Sequence, residues 1–155
     1  MAAPSGSTIL NLGTEIVLEA SGAAISNGAV SQADDDNLLL ADVDGAEFAV
    51  FEIDLAATPF TGTPTAGAFI TILERKINSD SASAPTPTTT YLFDQIGGFS
   101  IKPDNAAAQK LTTVCRVNFS GGDYFLYWKD GGAGTVGISS GWALRATPIY
   151  SNSKA

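Results

Sequence analysis

Leu111-Thr112-Thr113-Val114-Cys115-Arg116-Val117-Asn118-Phe119 is the stretch that decides the fold. Leu111, Thr113, Cys115, Val117 and Phe119 share one parity, and Thr112, Val114, Arg116 and Asn118 share the other. One side is therefore mostly apolar and the other mostly polar, the period-two signature of a strand with one covered face. Trp142, Leu144 and Ala146 alternate with Ala143, Arg145 and Thr147 in the same way. Working outward, short runs rich in Val, Ile, Phe, Tyr and Thr are separated by clusters of Gly, Pro, Ser and Asn. They predict strands over residues 8–12, 14–20, 47–55, 68–77, 91–101, 110–119, 124–129, 135–138 and 142–150. Helical signal is confined to residues 105–111, barely two turns. Short strands at regular spacing predict an all-β chain, an antiparallel β-sandwich or barrel, with an extended N-terminal segment.

The division expected is an N-terminal arm and irregular acidic segment over residues 1–44, a sandwich body over 45–150 and a flexible tail over 151–155. Within residues 47–55 the alternation slips, because Phe48 and Val50 have one parity while Phe51, Ile53 and Leu55 have the other. A bulge near Val50 and Phe51 would restore a single buried face. Partial cover on both faces, one of them by a neighbouring subunit, would account for the pattern equally well. Residues 22–44, the Ser/Ala/Pro/Thr stretch 78–90 and the glycine-rich stretch 131–141 read as irregular.

At 155 residues and 15.9 kDa the chain is one domain, and 45% apolar residues suffice for one core. Charged residues are only 15%, against about 25% in typical soluble domains, which suggests that other subunits cover part of the surface. Histidine is absent, which removes Ser-His-Asp and Cys-His catalysis and the commonest metal ligand. Cys115 is the only cysteine, so no intrachain disulfide and no multi-thiolate zinc site can form. A net charge of -8 argues against nucleic acid or an anionic membrane as partner. The charges are segregated: residues 1–74 carry 11 acids and no Lys or Arg, while residues 75–155 carry 8 basic residues against 5 acids. Such a chain can pair its own halves or pair head to tail with copies of itself. No positive n-region or long apolar run opens the sequence, and residues 55–73 are broken by Pro59, Gly62, Pro64 and Gly67. Synthesis in the cytoplasm, with the mature chain starting near Met1, is the expectation.

Several motif matches lack the setting their chemistry needs. Gly132-Ala133-Gly134-Thr135-Val136-Gly137 fits a dinucleotide fingerprint but leaves no room for a βαβ unit. Gly137-Ile138-Ser139-Ser140-Gly141 fits a nucleophile elbow but has no histidine base, and reads as a turn. Asp34, Asp36, Asp42 and Asp44 do not have the register of a calcium loop. Glu52 and Asp54 lie on one face of a strand, closer than an inverting glycosidase requires, with no aromatic cleft beside them. Tyr124, Phe125, Tyr127, Trp128, Trp142 and Tyr150 read mainly as packing groups, with sugar stacking as the alternative. Cys115 reads as a small buried hydrophobe. No catalytic residue, metal site or cofactor is expected.

The segment from Ser21-Gly22-Ala23-Ala24-Ile25 through Asp34-Asp35-Asp36-Asn37-Leu38 is followed by Ala46-Glu47-Phe48-Ala49-Val50. A Pro/Ala/Ser/Thr loop then leads into a Thr-Tyr strand over residues 84–92. Gly122-Asp123-Tyr124-Phe125 comes next, and Gly141-Trp142-Ala143-Leu144-Arg145-Ala146-Thr147-Pro148 closes the series. This order, spanning roughly residues 21–150, resembles a group of small tailed-bacteriophage virion proteins. The short loop at residues 78–90 departs from that pattern. The resemblance implies a capsid decoration (cement) protein with a jelly-roll-like β-sandwich body, commonly a homotrimer, on the capsid surface of the virion. Its partners would be the major capsid protein and copies of itself.

The candidate contact residues are Ile9, Leu10, Leu12, Ile16, Val17 and Leu18, apolar positions that suit either a first hairpin or an arm laid on a neighbour. Asp34, Asp35, Asp36, Trp128 and Trp142 are candidates for surface recognition. The alternatives are a tail, neck or fibre component, and a glycan-binding module displayed on the virion.

Overall fold

The computed structural model describes residues 8–31, 46–76, 88, 90, 94–118 and 122–153. Eight strands follow in chain order: β1 (Thr8–Leu12), β2 (Ile16–Gly22), β3 (Phe48–Leu55), β4 (Phe69–Lys76), β5 (Gln95–Ser100), β6 (Gln109–Arg116), β7 (Gly122–Lys129) and β8 (Trp142–Ser153). All pair antiparallel, in two sheets. One has the order β1-β8-β3-β6 with β2 also on β8, and the other has the order β5-β4-β7. The chain is an antiparallel β-sandwich, and no helix occurs among the described residues.

The core lies between the sheets. Ala49, Phe51, Ile53 and Leu55 of β3, with Leu144 and Ala146 of β8, face Ile70 and Ile72 of β4 and Tyr124, Leu126 and Trp128 of β7. Phe51 and Tyr124 pack with ring centroids 5.2 Å apart, and Phe60 stacks on Trp128 at 5.4 Å. Close approach also needs small residues. A Cβ on Gly97 would lie 2.5 Å from the Sγ of Cys115, and one on Gly98 would run into the Ile70 carbonyl. The glycine pair thus lets β5 lie close to β6 on one side and to β4 on the other.

Strand β3 needs no bulge. It pairs with β6 from Phe48↔Arg116 to Leu55↔Gln109 and with β8 from Phe48↔Ile149 to Asp54↔Ala143 without a register shift. Phe48 and Val50 face outward in this unbroken register, Phe48 being 42% exposed, so the bulge is not the arrangement adopted. Residues 105–111 form no helix, because Asp104 and Asn105 spend their side chains on other backbone groups. Asp104 Oδ1 accepts from Ala106 N at 2.9 Å, and Asn105 Oδ1 accepts from Phe60 N at 2.8 Å. Residues 135–138 make no strand either: only Ile138 pairs, in single bridges to Ile25 and Phe60.

Strands β1 and β2 do not form a hairpin. Both lie along β8 of the same chain, β1 on Ile149–Ser153 and β2 from Ala146 back to Trp142. The break between them falls at Pro148, whose carbonyl accepts from Gly13 N at 2.8 Å and whose ring nitrogen has no hydrogen to return. β8 runs on through Ser153, past the boundary expected at residue 150, because β1 gives it a partner there.

One end of the sandwich is closed by loops around a buried carboxylate. Asp130 accepts from Thr65 N at 2.7 Å and Gly131 N at 2.9 Å on Oδ1, and from Val136 N at 3.0 Å on Oδ2. Asn27 joins the same knot, accepting from Asp130 N at 2.9 Å and donating to the Gly134 carbonyl at 2.6 Å. Burial alone would raise the Asp130 pKa; the Thr65, Val136 and Gly131 N–H groups outweigh it and hold the pKa below the usual carboxylate range. A depressed pKa stabilises the fold above the unfolded value of about 3.9 and loses that contribution as pH falls through the folded value. Asp130→Asn should therefore unfold earlier in urea at pH 7, by at least about 2 kcal/mol, since an amide nitrogen would face a backbone donor. The gap between variant and wild type should narrow below about pH 4, read from denaturation midpoints at both pH values.

Candidate functional site

Because β3 sits between β6 and β8 in unbroken register, its outward residues assemble rows with theirs. One row runs Arg116, Phe48, Ile149 and Leu12 across β6, β3, β8 and β1. The next holds Val114, Val50 and Thr147, and beyond it come Thr112, Glu52, Arg145 and Val17. Leu10 continues the edge opposite Ser151. Directly opposed side chains on one face stand about 5 Å apart, so these groups form one surface. Among the described residues, six large apolar side chains are exposed: Leu10 (68%), Leu12 (70%), Val17 (56%), Phe48 (42%), Val114 (60%) and Phe69. All but Phe69 lie on this outer face. Scattered single exposures are ordinary, but a contiguous apolar patch marks an interaction surface.

The patch is bordered by an ion cluster. Arg145 pairs with Asp54, with Glu52 at 3.5 Å and with Glu15 at 3.6 Å, and Lys110 reaches Glu52 at 2.8 Å. The hydrogen bond that Lys110 donates to Glu52 is the largest influence raising the Lys110 pKa, and the one Arg145 donates to Asp54 does the same for Arg145. Glu52 and Asp54 are thus engaged by cations on the sheet surface. The acid-only first half of the chain meets the basic second half here.

Of the residues singled out from sequence, Leu10, Leu12 and Val17 lie on this face, Ile16 is half-buried against the core and Leu18 is buried. Ile9 pairs with Asn152 through its backbone. Asp34, Asp35 and Asp36 lie outside the described residues. Trp128 and Trp142 are interior groups rather than surface ones. They are 0% and 3% exposed, with indole N–H groups bonded to the carbonyls of Val136 at 2.6 Å and Ala23 at 2.8 Å. The expectation of surface recognition by these two residues is corrected accordingly: each indole is satisfied inside the sandwich. Cys115 is buried, and burial pushes its thiol pKa up. No group of three or more His, Cys, Asp or Glu that could hold a metal ion occurs among the described residues.

Phe48, Val50, Val114 and Ile149 complete the face and were not singled out as site residues. Their one sequence signal was the parity of Phe48 and Val50. No family model, curated protein or solved structure matches this chain.

Leu12→Lys with Phe48→Lys should cost only about 1 kcal/mol of stability, because both side chains already meet solvent. Trp142→Ala should cost about 3–5 kcal/mol, as an emptied core site does. Urea denaturation of the variants separates the face from the core.

Proposed function

We propose that this chain is a non-enzymatic structural protein of a bacteriophage virion, a decoration (cement) protein that docks on the capsid through the outer face of its five-stranded sheet. The observation that carries the reading is the gathering of Leu10, Leu12, Val17, Phe48 and Val114 on that one face. A protein that binds a preformed shell without chemistry needs contiguous apolar surface and a rigid body behind it. The major capsid protein and sister copies in a homotrimer are the partners this reading assigns. A trimer would add avidity, since three weak contacts act together at high effective concentration.

The strand order supports a jelly roll in particular. Residues 28–31 run against β7, with Gly28 N donating to the Trp128 carbonyl at 2.9 Å, Trp128 N to that of Ala29 at 3.1 Å and Ser31 N to that of Leu126 at 2.6 Å. Counting this rung as a strand, and β1 with β2 as one, gives two four-stranded sheets whose members interleave along the chain. That is the double-sheet arrangement common to viral capsid and lectin domains. The glycan-binding alternative is weakened, since both tryptophans it would use for stacking are interior.

Capsids lacking the protein should bind it on co-sedimentation and melt at a higher temperature once decorated. Leu12→Lys with Phe48→Lys should lower binding at least about tenfold, the consequence of losing roughly 1.4 kcal/mol at the interface. Removal of residues 2–12 takes away β1, leaves β2 on β8 and should weaken binding likewise. A folded double variant that binds capsids as tightly as the wild type, or a wild-type chain that ignores them, overturns the proposal.

A further inference from the structure

An open cleft of about 520 Å³ lies where the edges of the two sheets meet, lined by Glu74, Asp94, Gln95, Ile96, Arg116, Val117 and Asn118. A carboxylate taken almost wholly out of water lines it, since Glu74 is only 3% exposed. Asn118 N donates to Glu74 at 2.8 Å and the Tyr124 hydroxyl donates at 2.9 Å, and both bonds fall on Oε2. Burial, followed by the Glu74 charge, pushes the Tyr124 pKa well above the usual phenol range, so that hydroxyl stays a donor. Among the described residues no donor reaches Oε1. Arg75, the neighbouring residue on β4, points to the opposite face and donates to Asp123 at 2.7 Å. Asp94 and Arg116 put one charge of each sign at the cleft, so the charge that selects is that of Glu74.

We propose that this cleft binds a primary ammonium group on an aliphatic stem, the ammonium on Oε1 of Glu74 and the stem along Ile96 and Val117. An ammonium is a compact point charge that one carboxylate oxygen can anchor. A guanidinium fork is best served by two oxygens, and Oε2 is already taken. A hard divalent cation needs about six or more oxygens, and no group of three or more His, Cys, Asp or Glu that could hold a metal ion occurs among the described residues. Cleft size agrees, since small-molecule sites run from about 300 to 1,000 Å³. The inference does not rest on the capsid reading: the cleft lies between β5 and β6, and of the outer-face rows only Arg116, at their edge, reaches it.

The test is a titration of isotope-labelled protein followed by NMR, with n-butylammonium, a capped lysine and neutral n-butanol as probes. Saturable shifts at the amides of Ile96, Val117 and Asn118 are expected with both amines and not with n-butanol. Glu74→Gln should weaken amine binding at least about tenfold, the scale of one charge-assisted hydrogen bond. Since Glu74 also holds Tyr124 and Asn118, a second variant, Ile96→Trp, fills the cleft without touching the carboxylate and should abolish the shifts. Tighter binding of the capped lysine supports a partner's lysine side chain as the occupant, and tighter binding of n-butylammonium supports a free amine. Absence of saturable shifts, equal shifts with n-butanol, or shifts that survive either substitution in a folded variant overturns the proposal.

Discussion

Every surface of this sandwich follows from the register of β3 between β6 and β8. Because side chains alternate across a sheet, a slip of one residue would turn Ala49, Phe51, Ile53 and Leu55 to solvent and bring Glu52 and Asp54 into the core. Burying Phe51 and Ile53 stabilises the fold by about 1.5–3 kcal/mol each, while two uncompensated buried carboxylates would cost far more. The same register obliges Phe48 and Val50 to face outward beside Ile149 and Val114. Core and exposed apolar face are two sides of one pairing. The outer patch is therefore a fixed feature of the fold.

Charge order along the chain becomes intelligible on that sheet. Glu15, Glu52 and Asp54 come from the half without cations, and Lys110 and Arg145 from the half rich in them. Antiparallel pairing of β3 with both β6 and β8 brings the two sets into adjacent rows. Exposed pairs of this kind contribute about 0–1 kcal/mol each, so they do not hold the sandwich together. They do disfavour a shifted register, because β3 slid along β8 by two residues would set Glu52 and Asp54 against different rows of its neighbours.

Strand content was legible because period two survives in single strands. β1 falls at the bounds read from sequence, and β3, β4 and β7 lie within two residues of them. The outer face was not legible, because it is assembled from β6, β3, β8 and β1, and local alternation carries no information on strand order. Trp142 was legible as interior, since it shares the apolar parity of Leu144 and Ala146, whereas Trp128 was misjudged for a related reason. β7 is buried on both sides, Tyr124, Leu126 and Trp128 toward the main core and Phe125 away from it, so parity could not say which aromatic met solvent. Asp130 gave no signal at all. An isolated Asp before glycines reads as a turn residue, and only the folded chain brings Thr65 and Val136 to its oxygens.

Two buried carboxylates then differ in how their two oxygens are hydrogen-bonded. Asp130 has donors on both oxygens, all from loops that its charge holds together, and its pKa is held down by them. Nothing further can approach it without displacing the fold. Glu74 is almost as deeply placed, yet its two donors among the described residues share one oxygen and the residue lines an open cleft. A charge removed from water and only half served sits above the free energy it would have with a partner, because the desolvation cost is already met by folding. A cation arriving at Oε1 therefore recovers interaction energy without having to strip that carboxylate of its full hydration shell. The difference between the two acids lies in which oxygens the donors reach.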